Sequence, residues 1–86
     1  MTIMKPFVNN NGTARSELVS MRLDIMDSIN ATMANMQKIA PHGRDYQGAP
    51  DDQYQKDLVI YRARFALLDK LKNEVQEEAL AIHNED

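Results

Sequence analysis

The chain has 86 residues, with 10 Lys and Arg, 13 Asp and Glu, and neither Cys nor Trp. That length holds one domain, and the missing Cys excludes a disulfide framework, a thiolate zinc site and a cysteine nucleophile. A net charge of -3 and a pI near 5.2 argue against a general nucleic-acid binder, whose footprint is an excess of Lys and Arg. No apolar run approaches the roughly 18 residues that span a bilayer, and no signal-peptide pattern opens the chain, so no membrane partner is expected.

Residues 1–13 read as an N-terminal arm ending in a helix cap. Pro6 and Gly12 lie in this arm, while Pro41, Gly43, Gly48 and Pro50 bracket one central loop. The two long stretches between these breakers hold no Gly or Pro. That punctuation predicts arm, helix, loop and helix, with 14–83 forming a hairpin and 84–86 a tail.

The first helix is expected over about 14–40. Leu18, Met21, Ile25, Ile29, Met33, Met36 and Ile39 recur in steps of three and four, which keeps them on one face. Val19, Leu23 and Met26 widen that stripe, and Arg15, Arg22, Asp24, Asp27 and Lys38 supply polar surface. Thr13 suits the N-cap, where its hydroxyl would accept from an orphan N–H of the first turn. Pro41 ends the segment, because its ring cannot continue the backbone ladder.

The second helix, over about 50–83, is more regular. Tyr54, Leu58, Tyr61, Phe65, Leu68, Val75, Ala79 and Ile82 alternate by four and three, interrupted at Lys72, where Leu71 could take over. Pro50 suits the first helical position, and Asp51 and Asp52 suit the first turn. Asp57 with Tyr61 and Lys70 with Glu74 stand at spacings for local pairs. The fold class is therefore all-α: a long antiparallel helical hairpin with an N-terminal arm.

Two helices alone cannot cover both stripes, and Val59, Ile60 and Leu67 point off the seam. Assembly into an oligomeric helical bundle is the expected remedy, which makes the chain its own first partner. Met4, Phe7 and Val8 in the arm would pack across a neighbour or fold back on the hairpin.

Signals for catalysis are poor. There is no His-x-x-x-His, no Gly-rich phosphate loop and no nucleophile elbow, and neither a metal nor a cofactor is implied. Two polar segments carry the remaining chemistry. Asn11, Gly12, Thr13 and Arg15 join a flexible leader to a helix N-terminus, where free N–H groups and the dipole favour an anion and Arg15 could grip phosphate. The plain alternative is a capped helix with a polar leader.

His42, Arg44, Asp45 and Tyr46 form the second segment. Arg44 could pair with phosphate, Tyr46 offers a flat ring to a base, and Asp45 could accept from an amine or a ribose hydroxyl. The alternative has Asp45 capping the turn, Arg44 paired with it and Tyr46 plugging the hairpin end. The two segments stand at opposite ends of one hairpin, so a site using both must lie between copies.

The Asn11-Gly12-Thr13 leader with Arg15, followed by His42-Gly43-Arg44-Asp45-Tyr46 between two helices, resembles a family of small phage and prophage helical proteins. These share an NGT-x-R leader and a central N/H-GRDY motif. The resemblance implies a viral accessory protein in the cytoplasm of the bacterial host. By architecture alone the chain is also similar to phage sponges that sequester cyclic nucleotides at intersubunit pockets. The expected function is non-catalytic capture of a small anionic nucleotide. The alternatives are inhibition of a host protein through the Met-rich face or Val59 and Ile60, and service as a virion spacer.

Overall fold

A computed structural model describes residues 2–85. Two helices, α1 (Arg15–Gln37) and α2 (Gln53–His83), lie antiparallel and are joined through a single 3-10 turn over Gly43–Tyr46. The result is a rod of 63 × 21 × 17 Å, and no strand occurs among the described residues. Among the described residues, no helix is long and apolar enough to cross a membrane.

The helix ends differ from the expected ones. α1 starts at Arg15 with Ala14 as its N-cap, and no side chain caps it, so Thr13 stands one residue too early to serve. Before Pro41 the chain tightens: Lys38, Ile39 and Ala40 each donate to the carbonyl three residues back. This follows from the bias against helical geometry at the residue preceding a proline. α2 starts at Gln53 rather than Pro50, whose carbonyl instead accepts from Gln53 N in a turn.

The seam on α2 matches the expected alternation. Tyr54, Leu58, Tyr61, Phe65, Leu68, Val75, Ala79 and Ile82 are all buried or half-buried. At the interruption, however, Lys72 keeps the seam position while Leu71 stays exposed. A lysine stem can lie along apolar surface with its ammonium turned outward, here 3.8 Å from Asp69. The expected Lys70–Glu74 pair does not form. Among the described residues, the local ion pairs at this helix are the N-cap Asp52 with Lys56, and Asp69 with Lys72.

On α1 the seam is rotated from the expected stripe. Leu18, Val19, Arg22, Met26, Ile29, Met33 and Met36 turn inward, whereas Met21, Ile25 and Ile39 are exposed. Among the described residues, the buried apolar side chains are Ile29, Met33, Ala79 and Ile82, of which Ile82 is the most enclosed. The reason for the rotation is Arg22. Its Nε lies 2.6 Å from Glu78 Oε2, and the two side chains are only 12% and 8% exposed.

Arg22 also donates to Leu18 O at 2.9 Å, and the other Glu78 oxygen accepts from the backbone N–H of Met4. One carboxylate thus ties α1, α2 and the arm together. The arm folds back on its own hairpin, leaving Met4 and Phe7 exposed while Ile3, Pro6 and Val8 are half-buried.

A buried charge that loses its partner is costly, often about 3–5 kcal/mol, whereas replacing both partners by apolar groups is often neutral. Glu78→Ala is therefore expected to destabilise the hairpin by about 3 kcal/mol in denaturant unfolding. The double variant Arg22→Met/Glu78→Leu should lose less than either single change.

Candidate functional site

At the loop end, the sequence Gly43-Arg44-Asp45-Tyr46 coils into its 3-10 turn because His42 starts it. The imidazole Nδ1 of His42 accepts from Arg44 N at 3.2 Å, and His42 O accepts from Asp45 N. His42 is therefore the cap, a role the sequence reading offered to Asp45. Asp45 and Arg44 are both exposed, and no ion pair joins them among the described residues.

A second turn follows. Gln47 (φ -63°, ψ 125°) and Gly48 (φ 82°) are the central residues of a type II turn closed by Ala49 N donating to Tyr46 O at 3.0 Å. The positive φ explains the glycine, since an L side chain there is strained.

The two turns deliver Tyr46 onto α2. Its hydroxyl donates to Asp57 Oδ2 at 2.6 Å, and Gln53 Nε2 donates to Asp57 Oδ1 at 2.9 Å. Asp57 therefore serves Tyr46 and Gln53 rather than Tyr61. The Tyr46 ring lies 5.3 Å from that of Tyr54 at 45°, within the range of aromatic contact. Its hydroxyl is committed, so what Tyr46 can offer a ligand is the ring. The hydrogen bond to Asp57, followed by burial and the nearby carboxylate charge, pushes the phenol up to about 12.

Beside this network opens a cleft of about 270 Å³. Met36, Ile39, Pro41 and Ile60 supply apolar walls, and Tyr46, Tyr61, Asp57 and Arg64 supply polar groups. Such a mixture of apolar lining and a few placed polar groups is the usual make-up of a small binding site. Sequence reading missed Asp57, Tyr61 and Arg64 as members. The signal available was their spacing of three and four on α2, with Asp57 on the side that faces the loop.

At the opposite end the leader forms its own turn. Asn11 N donates to Asn9 Oδ1 at 2.9 Å and Gly12 N donates to Asn9 O at 3.3 Å. The Gly12 N–H is therefore already occupied, while Asn11 and Thr13 are exposed. Arg15 is half-buried, and its Nε is buried without a hydrogen-bond partner. It borders a groove of about 420 Å³ with Ser16, Val19, Leu23 and His83.

Within one chain the two polar segments are not brought together. The 23 residues of α1 hold them about 35 Å apart. No group of three or more His, Asp or Glu is placed to hold a metal among the described residues.

The raised Tyr46 pKa sets a sign for alkaline behaviour. A phenol protonated up to about pH 12 in the fold, but to about 10 when unfolded, contributes stability below pH 10. That contribution fades as pH rises from 10 to 12. Tyrosinate absorbance of the protein minus that of Tyr46→Phe should show a midpoint near 12, and one near 10 would remove the Asp57 bond from solution.

Compared with known proteins, the chain matches no protein family, no curated protein and no solved structure.

Proposed function

We propose that this protein is a non-catalytic, self-associating helical hairpin that captures a small phosphorylated nucleotide where copies meet. The observation that carries the reading is the surface left uncovered. The chain exposes 6523 Å², against about 5,200 Å² for a typical folded monomer of 9.8 kDa. The excess of about 1,300 Å² exceeds the roughly 800 Å² that each partner hides in a standard interface. Much of it is apolar, including Ile25, Ile39, Val59, Ile60, Leu67 and Leu71.

Chemistry at the two ends supports the ligand. Arg15 brings a guanidinium with a buried, unpartnered Nε to the start of α1, where the helix dipole favours negative charge. Arg44 lies exposed on a structured turn beside Tyr46, whose ring is already fixed by Asp57. Antiparallel association is the way to bring these ends together. In this reading Arg15 and Arg44 hold phosphate, Tyr46 stacks on a base, and Asp45, Asn11 and His42 meet its polar edges. The resemblance to small phage proteins adds the setting, a bacterial cytoplasm in which the ligand is an immune signal.

A second reading rests on a different groove. Val19, Leu23, Met26, Ala79 and Leu80 line an apolar trough on the other flank of the hairpin, which suits an amphipathic segment of a host protein.

Calorimetry against cyclic di- and trinucleotides, with light scattering on the same samples, tests the first reading. Binding is expected to weaken by about tenfold or more in Arg15→Ala and in Arg44→Ala, equivalent to about 1.4 kcal/mol each. Folded, associated protein that takes up no anionic nucleotide would end it.

A further inference from the structure

One face of the hairpin is apolar, exposed and complementary to itself. On α2, Ile60, Arg64, Leu67, Leu71 and Glu74 follow steps of three and four and share one narrow sector of the helix. On α1, Met21, Ile25, Ser28 and Thr32 do the same, and exposed Ile39 follows just past the helix end. Each row stands about 90° from its own seam in the same rotational sense, which in an antiparallel pair turns both to one side, and the cleft shared by Ile39, Ile60 and Arg64 lies at the loop end of it. Leu67 is 68% exposed, more than the other large apolar residues of the two rows. The hydroxyls in the α1 row, Ser28 and Thr32, already donate to carbonyls of their own helix. Covering them would orphan no donor.

Charge then selects a geometry. Arg64 and Glu74 flank the pair Leu67 and Leu71, and neither forms an ion pair among the described residues. Both stand equally far from the point midway between the two leucines. A two-fold axis through that point, perpendicular to the helices, lays α2 antiparallel on its copy. It sets Leu67 on the partner's Leu71 and Arg64 opposite the partner's Glu74, and each contact occurs twice, as an isologous interface requires. On α1 the level of the axis falls at Ala31, because Arg22 bridges to Glu78 and Met36 borders the same cleft as Arg64. The same rotation brings exposed Asp24 toward the partner's Lys38.

Shape agrees with charge. The arm stands over Ala81, Ile82 and Glu85 at one end of this face, with Phe7 81% exposed. The 270 Å³ cleft hollows the other end. The axis carries Ala81 to the level of the partner's Asp57, so each raised arm meets the partner's cleft. We infer that this face is the dimer interface, that its occupant is a second copy in the antiparallel orientation, and that Phe7 of one copy seats in the cleft of the other. The inference rests on the self-association proposed above and gives it an orientation. It also brings Arg15 level with the partner's Gln53, at the start of α2 beside the turn that carries Arg44 and Tyr46.

Charge reversal tests the orientation, read as the dimer dissociation constant by sedimentation. Arg64→Glu and Glu74→Arg should each weaken the dimer by about tenfold or more, since each sets like charges opposite twice. Combining both in one chain, or mixing the two single variants, should restore it to within about threefold of the original. Because the chain has no Cys, Leu67→Cys mixed with Leu71→Cys should also form an oxidised heterodimer. A dimer indifferent to the reversals, unrescued by their combination or uncrosslinked by the pair overturns this interface while leaving self-association intact. A strictly monomeric parent chain overturns both.

Discussion

The Glu78 carboxylate is the fixed point of this molecule. It accepts from Arg22 on α1 and from the backbone of Met4 in the arm, and it sits on α2 at a nearly dry position. Two helices with so few fully buried apolar side chains have little hydrophobic energy with which to choose a register. A single charged pair inside the seam makes that choice, because sliding α1 by one turn would leave both charges buried and alone. The rotation of α1, the exposure of Met21 and Ile25 and the seat of the arm all follow from it.

The two ends of the rod are then built by different means. At the loop end, two successive turns and an aspartate on α2 fix a tyrosine, so the ring is positioned by covalent geometry and hydrogen bonds rather than by bulk packing. At the leader end, the start of α1 has no side-chain cap and an arginine atom is buried without a partner. One end is complete in itself and the other is not. In the proposed antiparallel association, each incomplete end would stand beside the complete end of its partner.

The architecture was legible because Pro and Gly fall only where the helices stop and because α2 keeps a strict alternation. The seam of α1 was less legible. It carries enough Met, Leu, Ile and Val to define two overlapping stripes, and periodicity alone cannot choose between them. What decides is Arg22, read from sequence as polar surface, since its partner lies 56 residues away. Had the four-residue steps from Leu18 through Arg22 to Met26 been followed, the inward arginine would have stood out. The loop site was partly legible: His42, Arg44, Asp45 and Tyr46 do form a structured unit. The role of His42 was hidden, because a cap leaves no periodic trace, and that of Asp57 showed only as its place on the loop-facing side of α2.

The bond between Met4 and Glu78 has a consequence for biogenesis. Seventy-four residues separate its partners, so on the ribosome the donor is made long before its acceptor exists. Closing so long a loop from an open coil is entropically slow, yet once α2 has laid itself against α1 the two groups are already neighbours. The arm therefore emerges first and docks last. Until it does, the Glu78 oxygen not held by Arg22 is open to the arm of a sibling chain, which makes exchange of arms a competing outcome during synthesis on crowded polysomes.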